Sequence, residues 1–445
     1  MSATSPVRYP DLTSPGTMTR RAWWLIALNL LIPGSPQLIA GNRRLGRFGV
    51  AMTFTLWVIV IVGALLYWLW PVVIYTIASN TILLTVAQVL LVAYAVLWVV
   101  LTFDTLRLVR LVKTWPSARV FIAGLSIVGL VVTAGAAGYG AMVAGTTRSA
   151  ISAIFDSGDY APPVDGRYNI LMLGGDAGPD RTGLRPDSIS VASVDAQTGA
   201  TVMIGVPRNL ELARFVAGSP LYGPFPNGYD CGDQCLISYL YTYGQEHPEL
   251  YPDAEKNGSS PGIEAMRDAV GGVLGLTMQY YVLIDMQGFS DLIDALGGIT
   301  LQVPERTPLA VAIPGSQPFA WVEAGEQHLD GNTALWYSRT RYESTDFARM
   351  SRQRDVQEAI LRQFTPTNIL TKFQAVAAAG TQVVKTDIPS VMLGLFVDLG
   401  TKSRMRPVVR LELVPDEFSP SQPDFDKIAA AIAAAFLASS PTPKP

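Results

Sequence analysis

The sequence predicts an α/β domain with a central mixed sheet, held outside the membrane behind an α-helical transmembrane region. Three observations carry this reading. Apolar residues make up 49% of the 445, mean hydropathy is +0.28, and the excess lies roughly between residues 22 and 142. Basic clusters bracket that region and set its sidedness. Beyond residue 160, short apolar strands alternate with segments of helical period, the pattern of an α/β fold.

Residues 1–20, rich in Ser, Thr and Pro, read as a disordered cytoplasmic tail. The membrane region then covers 21–145. Stretches 48–75, 81–103 and 120–143 each have the roughly 20 apolar residues that a bilayer requires. A fourth, 22–40, is interrupted by Pro33, Gly34 and Pro36. Arg20 and Arg21 precede it, Arg43, Arg44 and Arg47 follow it, and Arg107, Arg110, Lys113 and Arg119 lie between the last two spans. The positive-inside rule places all three clusters in the cytoplasm, so 22–40 is read as a re-entrant or interfacial hairpin broken at Pro33-Gly34. Three full spans then leave the rest of a multi-pass cell-membrane protein outside.

Residues 146–165 read as a linker, 166–438 as the outer domain and 439–445 as a frayed end. Within the domain, 168–173, 188–194 and 200–206 read as strands, followed by helices near 236–245 and 262–274. Strand 280–284, helix 288–295 and strand 299–303 come next, then helices near 331–337, 346–363, 368–379, 391–399 and 425–437.

Charge excludes one class of partner. With 33 basic and 36 acidic residues, nothing points to nucleic acid. Two histidines, His247 and His328, argue against a His-rich zinc site or a Ser-His-Asp triad. Cys231 and Cys235 stand four apart, as a metal fragment or a disulfide would; with no second ligand pair following, a short disulfide clipping an exported loop is favoured. Common catalytic motifs are absent.

Arginine and aspartate instead crowd the ends of elements. Asp176 leaves the first strand and Asp187 enters the second, with Asp180, Arg181 and Arg185 between them. Converging carboxylates suit Mg²⁺ (or Mn²⁺) shared with phosphate; a solvated Gly/Asp turn is the competing reading. Arg208 closes the third strand. Arg339 and Arg341 are two apart, so in an extended segment both would face one side. On the helix from Asp346, residues Asp346, Arg349 and Gln353 share a narrow sector that continues as Val356 and Ile360. A stripe that opens polar and turns apolar starts at a site and runs into a core. Arg352 lies off it, as a surface or supporting residue. Gathering Arg185, Arg208, Arg339, Arg341 and Arg349 calls for an anion, and guanidinium forks match phosphate oxygens; structural Arg–Asp pairs are the alternative.

At these residues the chain resembles the LytR-CpsA-Psr family. The similarity runs over about 167–365, through Asn169-Ile-Leu-Met-Leu-Gly-Gly-Asp176, Arg185-Pro-Asp187, Pro207-Arg208, Leu329-Asp-Gly-Asn and Tyr337-Ser-Arg339-Thr-Arg341 to Asp346-Phe-Ala-Arg349-Met-Ser-Arg-Gln353. The resemblance implies an α/β/α domain that holds a polyprenyl-phosphate-linked glycan, its lipid in an apolar tunnel, and transfers the glycan phosphate to peptidoglycan. It implies Asp176 and Asp187 as metal ligands, with Arg208, Arg339, Arg341 and Arg349 clamping phosphates, Gln353 supporting them and Arg185 assisting. Arabinogalactan-type ligation is the leading expectation, beside teichoic-acid- or capsule-type transfer; a polyprenyl-diphosphate phosphohydrolase and a non-catalytic lipid-binding surface protein are the rivals. Two departures stand out: Asn209 where family members carry Asp, and Ala177-Gly178 after the first aspartate.

Overall fold

A computed structural model of the chain describes residues 7–155, 160–176, 185–231, 235–310, 317–363 and 384–440. The chain divides into two compact units, Met1–Arg148 and Ser149–Pro445.

In the first unit, helix α1 (Pro15–Leu31) starts inside the stretch expected to be a disordered tail, because Ser14 caps it and Pro15 sits where a helix tolerates the missing N–H. The chain breaks at residues 32–34 and resumes as α2 (Ser35–Ala40), a helical hairpin broken where Pro33-Gly34 predicts. Gly34 has φ +95°, and a Cβ there would strike the backbone of Gly49 and Val50 in α3 (Arg43–Leu69). Thr53 donates to the Pro33 carbonyl at 3.2 Å, and Gln37 Nε2 to the Leu101 carbonyl at 2.9 Å, which ties the break to α3 and to the helix that follows α4. Helix α3 ends earlier than the span expected to reach residue 75, because Pro71 cannot continue its hydrogen-bond ladder; α4 (Pro71–Ser79) follows as a separate helix. Next come α5 (Thr81–Val109) and α6 (Pro116–Ile154). Helix α6 absorbs the first half of the expected linker, since no Gly or Pro interrupts it after Gly145. Among the described residues three helices, Arg43–Leu69, Thr81–Lys113 and Pro116–Ile154, are long and apolar enough to cross a membrane.

The second unit is built on six strands: β1 (Arg167–Asp176), β2 (Arg185–Asp195), β3 (Thr201–Val206), β4 (Tyr280–Asp285), β9 (Val384–Thr386) and β10 (Val409–Glu412). Their order is β10-β3-β2-β1-β4-β9. Strands β1 and β4 run parallel, as do β3 and β10, while β2 and β9 are antiparallel to their neighbours, giving the mixed sheet that the pattern predicts. Alternation sends Leu171, Ile189, Val191 and Ile204 to one face, under α7 (Leu240–Glu246), α8 (Pro261–Leu274) and the C-terminal helix Phe425–Ser439. Tyr168 and Tyr280 point to the other face, with helix Leu393–Ser403. On that face a smaller core joins α9 (Met286–Leu296), α10 (Gly331–Arg339) and α11 (Asp346–Gln363) to the β5–β8 pair (Ile299–Val303, Gly325–Leu329) and the β6–β7 pair (Thr307–Leu309, Ala320–Val322). The helix expected near 368–379 lies outside the described residues.

Candidate functional site

Because β2 is antiparallel to both β1 and β3, the carboxyl ends of β1, β3 and β4 and the start of β2 lie along one edge of the sheet. That edge is where open α/β folds keep their ligand crevice. It opens into a cavity of about 430 Å³. Gly174 and Gly175 of β1 form part of its floor, followed by Ser188 of β2 and Val282 and Ile284 of β4.

Helix α11 supplies one wall. Arg349, Gln353, Val356 and Ile360, the sector read from the helical period, all line the cavity; Asp346 stands at its edge as an ion-pair partner. Arg339 and Arg341 both line it as well, but not from one extended segment. Arg339 is the last residue of α10, and the chain turns extended only at Thr340 (ψ 138°). Arg339 also lies 5.4 Å over the Trp336 ring, itself part of the lining.

Two carboxylates, Asp187 and Asp346, hold three arginines at this end. Arg208 Nη1 donates to Asp187 Oδ1 at 2.5 Å, and its Nε to Asp346 Oδ2 at 3.4 Å. Arg341 Nε lies 3.1 Å from Asp346 Oδ1, and Arg349 Nη2 lies 3.9 Å from the same oxygen. Burial works against the Arg208 charge, but Asp187 and Asp346 outweigh it and hold the guanidinium above its ordinary value. Arg349, 3% exposed, behaves oppositely: burial and then repulsion from Arg341 push it down to about 10. Its Nε, the Nε of Arg341 and Oε1 of Gln353 are buried without hydrogen-bond partners among the described residues. An anion with several oxygens would relieve the excess charge and accept from the two Nε–H groups. Away from this end the lining becomes apolar, with Met172, Phe289, Leu292, Leu335, Val356 and Ile360.

Some expected residues stand elsewhere. Arg185, the exposed first residue of β2, does not line the cavity; its guanidinium lies 4.8 Å over the Tyr239 ring, which holds it to the outer side. Asp176 ends β1 paired with Arg185, directly after the cavity-lining Gly175, but its side chain, like Asp180 and Arg181, lies outside the described residues. Among the described residues no group of three His, Cys, Asp or Glu side chains gathers. Asp187 keeps Oδ2 without a hydrogen-bond partner there, one oxygen of the kind that a hard cation takes.

One residue escaped the sequence reading of roles. Asp346 is the anchor shared by Arg208, Arg341 and Arg349; its place in the α11 sector was the available signal. Arg352, expected at the surface or in support, takes the supporting place and is buried. It donates from Nε to the Tyr337 carbonyl at 3.0 Å and from Nη2 to the Thr340 carbonyl, pinning the turn that presents Arg339 and Arg341. Its place off the α11 sector left the surface open as well; the packing decides between the two.

Residues 142–412 match the sequence profile of the LytR_cpsA_psr family. The chain belongs to the LytR-CpsA-Psr family. It is 28% identical over 224 residues to the polyisoprenyl-teichoic acid–peptidoglycan teichoic acid transferase TagU of Halalkalibacterium halodurans, covering 50% of this chain and 61% of that protein. It is 27% identical over 227 residues to biofilm regulatory protein A of Streptococcus mutans, covering 50% of each. The chain thus spans about half to three fifths of the length of these relatives. The crystal structure of B. subtilis TagV aligns at 21% identity with a TM-score of 0.44, over 61% of this chain and 98% of that one. In this LytR-CpsA-Psr chain Asn209 follows Arg208 directly, and the carboxylates that orient Arg208 are Asp187 and Asp346, from elsewhere in the chain.

Cys231 and Cys235 form a disulfide with Cα atoms 5.2 Å apart. Just beyond it, Ile237 N–H donates to the Leu210 carbonyl at 2.8 Å and Ser238 N–H to the Arg208 carbonyl at 3.2 Å. The residues just after the disulfide therefore buttress the backbone of Arg208. Replacing both cysteines by serine is expected to lower stability by about 2 kcal/mol, the loop-closure value for so short a ring. Thermal unfolding with and without reductant checks this: reductant lowers the wild-type midpoint to that of the variant, and an unchanged midpoint refutes it.

Proposed function

We propose that the cavity binds a polyprenyl-pyrophosphate-linked glycan outside the membrane and passes the glycan phosphate to a sugar hydroxyl of peptidoglycan. One observation carries this reading: four arginines line a cavity, three of them gathered on two aspartates, and the remaining wall is apolar. A pyrophosphate head matches the first part, a prenyl tail the second. The name of the H. halodurans relative, a polyisoprenyl-teichoic acid–peptidoglycan transferase, supports the same class of donor and acceptor. We assign an arabinogalactan-type glycan on the strength of the three apolar helices ahead of the domain, with teichoic-acid- and capsule-type glycans as alternatives.

Arg208, Arg341 and Arg349 orient the pyrophosphate and draw off the charge that builds on its oxygens; Arg339 closes the same end. The acceptor hydroxyl oxygen attacks the glycan-proximal phosphorus. The bond from that phosphorus to the bridging oxygen breaks, and polyprenyl monophosphate leaves with the electron pair while the hydroxyl proton passes to solvent or the leaving phosphate. The product is a phosphodiester between glycan and peptidoglycan. Asp187, with Asp176, would hold Mg²⁺ or Mn²⁺, which supplies further neutralisation of phosphate charge.

Incubation of the full chain with a lipid-linked glycan, with and without peptidoglycan, tests the proposal by mass spectrometry. Glycan phosphodiester on peptidoglycan, together with acceptor-dependent polyprenyl monophosphate, is expected. Monophosphate released equally without acceptor makes the protein a phosphohydrolase; retained lipid with no turnover in Mg²⁺ makes it a binding protein.

A further inference from the structure

A second cavity lies in the membrane unit, lined by residues that the transfer does not use. Residues Thr19, Arg20, Trp23, Trp24 and Ala27 recur at helical spacing and line one face of α1. With Trp115, just before α6, they enclose an open groove of about 700 Å³. The neighbouring face of α1, with Ala22, Leu25 and Ile26, is buried against α5 and α6, so the groove is held by a packed scaffold. Trp115 N–H donates to Thr19 Oγ1 at 3.0 Å, tying the two walls together.

The chemistry of the groove is that of a lipid interface. Trp23, Trp24 and Trp115 are 40%, 65% and 54% exposed, and indoles of this kind settle at the headgroup level of a bilayer. Arg20 is exposed beside them, and no carboxylate among the described residues pairs with it. Residues 1–148 hold eleven Lys and Arg against two acidic residues, Asp11 and Asp104. We propose that this groove is a binding site for an anionic glycerophospholipid of the leaflet that the positive-inside rule makes cytoplasmic. The headgroup phosphate sits on Arg20 and the Thr19 hydroxyl, and the acyl chains run along Trp24 and Ala27. Charge complementarity selects an anionic over a zwitterionic lipid.

The test is native mass spectrometry of the detergent-purified full chain titrated with phosphatidylglycerol or phosphatidylcholine. Wild type retains phosphatidylglycerol preferentially, and inorganic phosphate at millimolar concentration does not displace it. Arg20→Gln weakens that retention about fivefold, the contribution of one interfacial cation. Trp23→Ala weakens it as well, whereas Arg44→Gln, an equal charge change on an exposed residue outside the groove, leaves it within about twofold. The proposal is overturned by Arg20→Gln binding like wild type, by equal losses in Arg20→Gln and Arg44→Gln, or by displacement with phosphate alone. Unfolding midpoints within a few degrees of wild type confirm that each variant is folded.

Discussion

Replacing Arg208 by alanine is expected to lower glycan transfer roughly 10²–10³-fold while leaving the domain folded. Arg208 is the cation that binds both Asp187 and Asp346, at 2.5 and 3.4 Å. Its removal takes away a fork for phosphate oxygens and leaves two carboxylates facing the anion they formerly helped to position. Its side chain keeps 30% exposure, so water can solvate the gap and the cost in stability stays small. Arg208→Lys retains the charge without the bidentate geometry and recovers only part of the rate. Arg339→Ala and Asp176→Ala are expected to lose transfer in the same way. Steady-state rates with a lipid-linked donor, set beside unfolding midpoints, decide the matter. A folded Arg208→Ala protein that transfers at the wild-type rate removes phosphate clamping from the account.

Arg354→Ala, by contrast, is expected to destabilise the domain by about 3–5 kcal/mol, because it strips the partner from a buried charge. The Arg354 side chain is 1% exposed, and its Nε lies 3.1 Å from Glu412 Oε1. It also donates to Gln357, a cavity-lining residue. Glu412 itself is pressed against Gly205, where any Cβ would run into its carboxylate. Burial pushes Arg354 down and Glu412 up from their ordinary values, so neither charge is comfortable without the other. The double variant Arg354→Met, Glu412→Leu removes both charges and should regain most of the loss. A thermal midpoint roughly 10 °C lower for the single variant, largely restored in the double, is the expected pattern. Equal destabilisation by the single and double variants contradicts it.

Both residues sit on elements of very different legibility. Helix α11, which carries Arg354, shows in the sequence through its period, and so does the stripe from Asp346 to Ile360 that forms the cavity wall. Strand β10, which carries Glu412, does not: four residues hold too little alternation to stand out, and its pairing with β3 spans some two hundred residues of chain. Strands β6, β7 and β9, three residues each, escaped for the same reason. Arg339 and Arg341 were legible as residue types but not as geometry, since a helix end replaces the extended segment assumed for them and Arg352 holds the turn from fifteen and twelve residues away.

By itself the sequence determined what rests on local, periodic chemistry. That comprises the apolar stretches of the three long helices, the break at Pro33-Gly34, the β1–β5 and α8–α11 framework, and the arginine-rich character of the site. Only the tertiary structure decided which charges meet. It set Arg208 between Asp187 and Asp346, left Arg185 outside on Tyr239, buried Arg352 beneath the turn, and paired Arg354 with Glu412. The reason is physical: periodicity is written over a few neighbouring residues, whereas a charge's partner is whichever group the sheet register and the helix packing bring within about 4 Å, and that depends on the whole chain.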